Sequence, residues 1–231
     1  MYVEHPLLRR QAIEQRAYQV NIAARCLERS TLVVLPTGMG KTVIATLVIA
    51  EVLRGRGGKV LFLAPTKPLV EQHAAYLTDV LLAGTVAVFT GEKPPEDREL
   101  EWRTCKIVCS TPQVIENDLR HERMTLDDVS LVVFDEAHRA VGDYAYVDVA
   151  TRYRERGGSL ILGMTASPGS QVAKILEVCG NLDVTPDHVE IRTEFDADVA
   201  PYVHDIQVER IPVEVPAETG RMRELLRAAL D

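Results

Sequence analysis

Apolar runs bounded by turn residues recur along most of the chain. Six of them are mostly continuous rather than alternating, and each is followed by a segment compatible with a helix. The runs are TLVVLP, KVLFLAP, TVAVFTG, KIVCSTP, SLVVFDE and SLILGMTA. Continuous apolar runs are typical of strands that are covered on both faces. The pattern therefore predicts an α/β domain, in which a mostly parallel sheet carries helices on both faces.

The segment after the first run, KTVIATLVIAEVLR, is apolar nearly all round. A helix of this kind packs deep against a sheet. Gly55, Gly57 and Gly58 predict where this helix ends. The chain is thus expected to pass from a strand through a glycine-rich turn into a buried helix.

The last part of the chain has a different character. PYVHDIQVERIPVEVP indicates an extended segment, which Pro212 limits to an edge or bulged strand and Pro216 ends. In AETGRMRELLRAALD the apolar residues recur at helical spacing, and this pattern stops abruptly. We expect the α/β domain to span residues 1–214, and residues 215–231 to begin a helical insertion or linker that is truncated within a longer protein.

Composition and charge narrow the class of protein. With 231 residues and 46% hydrophobic content, the chain is typical of a soluble globular domain. Its longest apolar stretches are shorter than the roughly 20 residues needed to cross a bilayer, and its start lacks the apolar run of a signal peptide. We therefore expect a cytoplasmic protein with no membrane partner. A net charge of -8 argues against a polyanion-binding surface over the whole molecule but allows a local one.

The four cysteines do not have the spacing of a metal site. Cys26, Cys105, Cys109 and Cys179 form no CxxC pair, and no second pair of ligands complements the two central ones. We expect buried free thiols.

The stretch VLPTGMGKTVIA predicts a phosphate-binding loop. Gly38 and Gly40 allow a tight turn whose N–H groups face phosphates, and the following helix adds its positive end. Lys41 supplies charge to the β- and γ-phosphates, and Thr42 supplies a hydroxyl for Mg²⁺. Leu35 stands where the strict pattern requires glycine. A chance glycine turn is disfavoured because a strand precedes the loop and a buried helix follows it. The predicted nucleotide-binding residues of the loop are Pro36, Thr37, Gly38, Met39, Gly40, Lys41 and Thr42.

The run LVVFDEAH is an apolar strand pattern that ends in two adjacent carboxylates. Buried carboxylates are costly unless they bind something, and ligands of parallel sheets bind at the carboxyl ends of the strands. We expect Asp135 and Thr42 to hold Mg²⁺, Asp135 through water, and Glu136 to orient and deprotonate an attacking water. The alternative is an acidic helix cap, which the pairing with a phosphate loop disfavours.

Six motifs in order resemble the first motor domain of superfamily-two helicases. They are LPTGMGKT, APTKPLV, TGEK, STPQ, DEAH and TAS. Longer segments, among them LAPTKPLVEQHA, STPQVIENDL, VVFDEAHRAVGDYAYV and GMTASPGS, resemble the helicases of the archaeal Hef and eukaryotic FANCM family. The resemblance covers nearly the whole chain. It implies a RecA-like P-loop domain that binds ATP and Mg²⁺, and Leu35 fits the helicase form of the loop.

The resemblance also assigns roles to single residues. Gln19, in RAYQ, would bind the adenine edge, as an amide can do with two hydrogen bonds. His138 would complete the catalytic set of Lys41, Asp135 and Glu136. Thr165 and Ser167, in TAS, would couple the carboxylate strand to the nucleic-acid side. The alternatives are a solvent-facing glutamine for Gln19 and a helix cap for Ser167.

Three further motifs, APTKPLV, TGEK and STPQ, lie where a strand gives way to a loop or helix. In the family these segments follow the backbone of one nucleic-acid strand, to which hydroxyl and amide donors and lysine charges are suited. The predicted nucleic-acid contacts are Thr66, Lys67, Thr90, Gly91, Lys93, Thr111 and Pro112. For Thr111, which precedes Pro112, a plain helix cap is the alternative.

The resemblance implies an ATP-dependent helicase or translocase that acts on forked or branched DNA in replication-fork repair. Such helicases hold ATP between two RecA-like domains, so we expect a second domain of the same parent chain as a partner and little activity from this chain alone. One alternative is a P-loop kinase of a small metabolite, whose acceptor site and arginine-rich lid the sequence does not show. The other is a non-catalytic nucleic-acid-binding module, which the complete set of nucleotide residues disfavours.

Overall fold

The computed structural model describes residues 1–167, 172–202, 211 and 217–228. All six predicted runs form strands, and a short seventh strand near residue 190 was not predicted. The strands are β1 (Thr31–Val34), β2 (Lys59–Leu63), β3 (Val86–Phe89), β4 (Ile107–Ser110), β5 (Val129–Phe134), β6 (Ile161–Thr165) and β7 (Val189–Ile191).

Helices follow most of these strands, as the sequence predicts. They are α1 (Ala17–Glu28), α2 (Lys41–Gly55), α3 (Lys67–Val80), α4 (Pro95–Thr104), α5 (Pro112–Arg120), α6 (Ala145–Glu155), α7 (Val172–Asn181) and α8 (Ala217–Ala228), with short 3₁₀ turns at Ala137–Arg139, Pro186–His188 and Ala200–Tyr202. Within the described ranges, no helix is both long enough and apolar enough to cross a membrane.

The seven strands form one sheet in the order β3-β4-β2-β5-β6-β1-β7. Every strand pair among the described residues is parallel. The prediction of a parallel sheet is therefore confirmed. The edge strand β7 escaped prediction because its sequence, VEI, is only three residues long and buries only Glu190.

Two hydrophobic cores explain why the strand sequences are apolar without interruption. In β5, Leu131 and Val133 face the core that holds α1, α2 and α3, while Val132 and Phe134 face the core that holds α6. Successive side chains of a strand point to opposite faces of the sheet. A strand covered on both faces thus leaves room for polar residues only near its ends, as with Lys59 in β2 and Thr165 in β6.

The helix after the phosphate loop ends where the glycines predict. α2 runs from Lys41 to Gly55, and eight of its positions are buried, which agrees with its uniformly apolar sequence. Gly58 has a φ of +75°, and a Cβ at this position would lie 2.2 Å from Ser130 Oγ. A larger residue could not make the turn from α2 into β2.

The C-terminal predictions are tested only in part. The expected extended segment begins in the Ala200–Tyr202 turn, and most of it lies outside the described residues. The helical spacing is confirmed by α8, whose Met222, Leu225 and Leu226 are exposed, whereas Leu230 lies outside the described residues. The domain boundary after residue 214 stays a prediction.

All four cysteines are buried and free, as predicted. Burial raises the pKa of the Cys26 and Cys109 thiols to about 12. These two cysteines are therefore neutral packing residues at ordinary pH.

A buried ion pair joins α4 to α5. Arg98 Nε and Nη2 lie 2.6 and 2.7 Å from the two carboxylate oxygens of Asp118, and both side chains are almost fully buried. Arg98 also donates to the Lys93 carbonyl, and Arg123 lies 3.2 Å from Asp118. The pair therefore connects the TGEK loop to the helix that follows STPQ.

Replacing one partner of this pair leaves the other charge buried and unpaired. We expect Arg98→Ala to lower the free energy of unfolding by about 3–5 kcal/mol, measured by urea denaturation. Arg103→Ala is the matched control, because Arg103 is exposed on the same helix and pairs with Glu99. This control is expected to change the stability by no more than about 0.5 kcal/mol. Equal losses in the two variants would contradict a special role for the buried pair.

Candidate functional site

The turn between β1 and α2 is built on two glycines with left-handed backbone. Gly38 has a φ of +83° and Gly40 a φ of +80°. The N–H groups of Gly38, Gly40 and Lys41 donate to no acceptor among the described residues. Unpaired N–H groups at the start of a helix form an anion-binding site, because the helix dipole adds to their positive charge.

Lys41 lies at the first position of α2 and folds back over the loop. Its Nζ donates to the Leu35 carbonyl at 2.9 Å. Burial lowers the pKa of the Lys41 ammonium, and the neighbouring Glu136 and Asp135 carboxylates oppose that shift. Leu35 itself is fully buried in the core beside α2, so a leucine at this position contributes to packing where the strict loop pattern has glycine.

The helix α1 is bound to the same loop through two neighbouring side chains. Tyr18 Oη donates to the Met39 carbonyl at 2.7 Å, and Gln19 Nε2 lies 3.2 Å from that carbonyl. A Cβ on Gly40 would lie 2.3 Å from Gln19 Nε2. Gln19 is 3% exposed, so it is not the solvent-facing glutamine of the alternative interpretation.

The two carboxylates follow β5 directly. Asp135 is buried, and its N–H donates to the Leu63 carbonyl on β2 at 2.9 Å. Glu136 is half-buried and has a φ of +50°. Such a backbone is uncommon for a residue with a side chain and is often found at functional sites. The regular strand backbone of β5 has therefore ended before Glu136.

His138 and the predicted coupling residues Thr165 and Ser167 are brought together. His138 Nδ1 lies 3.0 Å from Thr165 Oγ1 and 3.3 Å from Glu136 Oε2. Thr165 Oγ1 donates to the Ser167 carbonyl at 3.0 Å and accepts from the Ser167 N–H at 3.2 Å. A continuous chain of polar contacts therefore links the Glu136 carboxylate to the end of β6.

One site residue was missed by sequence reasoning. His73, on α3, lies with Nε2 2.9 Å from Asp135 Oδ2, and both side chains are buried. On the same helix Val70, Ala74 and Leu77 are also buried. A histidine within an otherwise apolar face is a signal that was available in the sequence, since a buried polar group needs a partner.

Two of the predicted nucleic-acid residues occupy helix N-cap positions. Thr66 precedes α3 and Thr111 precedes α5, yet neither side chain makes a capping hydrogen bond in the part of the chain described. Thr90 is buried at the end of β3, and Gly91 after it is exposed. Pro112 is buried in the first turn of α5. The capping interaction that was the alternative for Thr111 is thus not formed.

Both predicted lysine contacts are engaged in ion pairs, which the sequence did not predict. Lys67 Nζ lies 2.5 Å from Glu92 Oε2. Lys93 pairs with Glu101, and its Nζ lies 5.4 Å from the centre of the Phe89 ring. Water screens an exposed pair such as that of Lys67, so an anion can replace the glutamate at little cost.

The parallel sheet collects all these residues at one edge. The carboxyl ends of β1, β6 and β5, which are neighbours, carry the phosphate loop, Thr165 and Asp135. The ends of β2, β4 and β3 carry Thr66, Thr111 and Thr90. The residues predicted to bind the nucleotide therefore lie on one half of the edge, and the residues predicted to contact nucleic acid lie on the other.

The residues present fit a nucleoside triphosphate with Mg²⁺. The loop offers unpaired N–H groups and the Lys41 ammonium to phosphates. Asp135 Oδ1 receives no hydrogen bond from any described residue. No cluster of three or more metal-ligating side chains occurs in the described ranges. A carboxylate beside a phosphate-binding loop suits Mg²⁺, which proteins hold through one or two carboxylates plus substrate phosphates.

The fold and the site together define a RecA-like P-loop domain. The profile of the DEAD/DEAH box helicase family matches residues 16–175, and the chain belongs to that family.

Similar proteins agree with this assignment. A crystal structure of the Hef helicase domain of Pyrococcus furiosus superposes with a TM-score of 0.83 and is 49% identical, over 97% of this chain and 47% of that one. A Methanocaldococcus jannaschii protein, provisionally named an ATP-dependent RNA helicase, is 45% identical over 100% of this chain and 29% of its own length. The ATP-dependent DNA helicase MPH1 of Pyricularia oryzae is 41% identical over 93% of this chain and 20% of its own. The chain thus spans less than a third of these curated relatives.

The two glycines of the loop offer a matched test of the contact with α1. Gly38→Ala and Gly40→Ala should each cost about 1–2 kcal/mol because of their left-handed backbone. Only Gly40→Ala must also displace Gln19, since a Cβ on Gly38 has no neighbour within 4 Å. We expect about 1 kcal/mol of additional loss from the broken hydrogen bonds, measured by urea denaturation. This difference should vanish in a Gln19→Ala background, and its persistence there would contradict the contact.

Proposed function

We propose that the chain is the ATP-binding motor domain of an ATP-dependent DNA helicase or translocase that acts on forked or branched DNA in replication-fork repair. The observation that carries this proposal is that the phosphate loop and the two carboxylates lie on one half of a sheet edge, whose other half carries Thr66, Thr90 and Thr111. The similarity to the Hef helicase domain and to the DNA helicase MPH1 supports DNA as the substrate. The preference for branched DNA rests on the resemblance to the Hef and FANCM family.

In this function the phosphate loop binds the phosphates of ATP, and the two carboxylates serve the metal and the attacking water. The loop N–H groups and Lys41 bind and neutralise the phosphates. Thr42 and Asp135 would hold Mg²⁺, which supplies further positive charge to the phosphate oxygens. Glu136 orients the attacking water and accepts its proton. Its left-handed backbone sets this carboxylate apart from Asp135, which allows the two neighbouring groups to serve different roles.

Gln19 selects the base in this proposal, and the TAS segment transmits the nucleotide state. Gln19 is held against the phosphate loop, so an adenine bound by its amide would lie next to the phosphates. His138 and Thr165 are in contact, which joins the carboxylate turn after β5 to the end of the neighbouring strand β6. Through this contact, a change at Glu136 reaches Thr165 and Ser167, on the side of β5 away from β2.

A second RecA-like domain of the same parent protein would complete the site. The curated relatives are several times longer than this chain, which leaves room for such a domain. That domain would contribute an arginine that stabilises charge in phosphoryl transfer, worth on the order of 10³ in rate in related enzymes. We therefore expect the chain alone to hydrolyse ATP slowly and not to separate DNA strands.

The decisive variant is Glu136→Gln in the full-length parent protein. Loss of a general base should lower DNA-stimulated ATP hydrolysis about 10²–10⁴-fold, with ATP binding retained. Glu122→Gln is the matched control, because Glu122 also has a left-handed backbone, with a φ of +56°, but is exposed in the loop after α5. Undiminished hydrolysis by Glu136→Gln would contradict the catalytic role.

The molecule that stimulates ATP hydrolysis by the wild-type protein distinguishes the competing functions. Stimulation of hydrolysis by DNA supports the proposal, and stimulation by RNA alone would indicate an RNA helicase. Phosphate transfer to a small metabolite, without stimulation by nucleic acid, would indicate a kinase.

The nucleic-acid half of the edge is tested through the salt dependence of DNA binding. Lys67→Ala should reduce the slope of log affinity against log salt by about 0.7, the value for one phosphate contact on a single strand. Fluorescence anisotropy with a single-stranded oligonucleotide measures this slope. Lys106→Ala is the control, since Lys106 is exposed immediately before β4 and hence at the opposite edge of the sheet. An equal change in both variants would argue against a defined path at the carboxyl edge.

A further inference from the structure

The carboxylate assigned to Mg²⁺ has a buried partner on a different helix. We propose that His73 is a positioning residue, which holds Asp135 in the orientation that leaves one carboxylate oxygen available to the metal and its water. This inference rests on the proposed function and adds to it a residue outside the nucleotide motifs.

The contact between His73 and Asp135 is short and enclosed. Nε2 of His73 lies 2.9 Å from Oδ2 of Asp135, across 62 residues of sequence. The His73 ring packs on Phe62 of β2, with 4.5 Å between the ring centres. The side chains of His73 and Asp135 are 8% and 9% exposed, so water competes little for this hydrogen bond. The ring is thus fixed by packing before it meets the carboxylate.

The main chain of Asp135 is held independently of its side chain. Its N–H donates to the Leu63 carbonyl at 2.9 Å, and its carbonyl accepts from Tyr146 Oη at 2.7 Å. These contacts fix the Cα position but leave the side-chain torsions free. His73 supplies the hydrogen bond that fixes the carboxylate itself.

The two oxygens of the carboxylate are therefore not equivalent. Oδ2 is occupied by His73, whereas Oδ1 accepts no hydrogen bond from the residues that the structure describes. Outer hydrogen bonds to a ligating carboxylate orient it, and their removal typically weakens metal binding about 10–100-fold. Because His73 already orders the Asp135 side chain, metal binding at Oδ1 loses less conformational entropy.

The helix that carries His73 also begins at the other half of the edge. Thr66 is the N-cap of α3 and Lys67 its first residue, and both are predicted nucleic-acid contacts. A displacement of α3 would therefore move the hydrogen-bond partner of Asp135. His73 is the point at which this helix touches the carboxylate.

The test is nucleotide binding by this chain with and without Mg²⁺. A fluorescent ADP analogue is titrated into wild type, His73→Phe, His73→Met and His73→Gln, in Mg²⁺ or in EDTA. Phenylalanine and methionine keep the apolar packing but have no N–H, whereas glutamine retains an N–H donor near the Nε2 position. His121→Phe is the matched control, because His121 is exposed and follows α5. Thermal melting confirms that each variant is folded.

We expect Mg²⁺ to strengthen binding by wild type, His73→Gln and His121→Phe to a similar extent. In His73→Phe and His73→Met this gain should fall about tenfold, while the dissociation constant in EDTA stays unchanged. A residue that only supports the fold would alter the melting temperature and both dissociation constants together.

If folded His73→Phe and His73→Met retain the full strengthening of nucleotide binding by Mg²⁺, the inference is wrong. It is also wrong if His73→Gln loses this strengthening as they do. Failure of the wild type to bind the nucleotide in either condition would instead refute the proposed function. Nucleotide binding by wild type that Mg²⁺ does not strengthen would overturn the inference but leave nucleotide binding itself established.

Discussion

The structure depends on the parallel alignment of strands that are buried on both faces. Because such a strand accepts no polar residue along its length, polar groups are confined to its ends. Parallel pairing then places every carboxyl end at the same edge of the sheet. The phosphate loop, the two carboxylates and the threonine-bearing turns of β2, β3 and β4 share a surface for this reason alone. The position of the candidate site therefore follows from the way the strands pack.

Links between neighbouring strand ends turn this shared edge into one unit. Tyr146 bonds the Asp135 carbonyl and lies 3.3 Å from that of Leu63, so it ties β5 to β2 at the boundary between the two halves. On the other side of β5, His138 reaches Thr165 on β6. The carboxylate strand is thus connected to both neighbours through polar groups. A rearrangement at the end of one strand can therefore move the end of the neighbouring strand through these polar contacts.

Much of the fold was predictable because its signals are local. Six strands and the buried helix α2 were recognised from uninterrupted apolar runs and their glycine boundaries, and the structure confirms them. β7 was missed because three residues with a single buried glutamate carry no periodicity. His73 was missed because a single histidine within a helix has no motif around it, although its position on a buried face was visible. The ion pairs of Lys67 and Lys93 were also beyond reach, since both glutamate partners look like ordinary surface residues.

The order of residues along the chain specifies each element and the chemistry within it. A strand, a glycine turn and Lys41 are covalent neighbours, so their relation can be inferred before the fold is known. The strand order and the contacts between distant segments follow only from packing. His73 meets Asp135 over 62 residues and His138 meets Thr165 over 27. Gln19 reaches the loop because α1 packs on α2. These contacts depend on which surfaces are buried together, a property of the packed chain and of no segment within it.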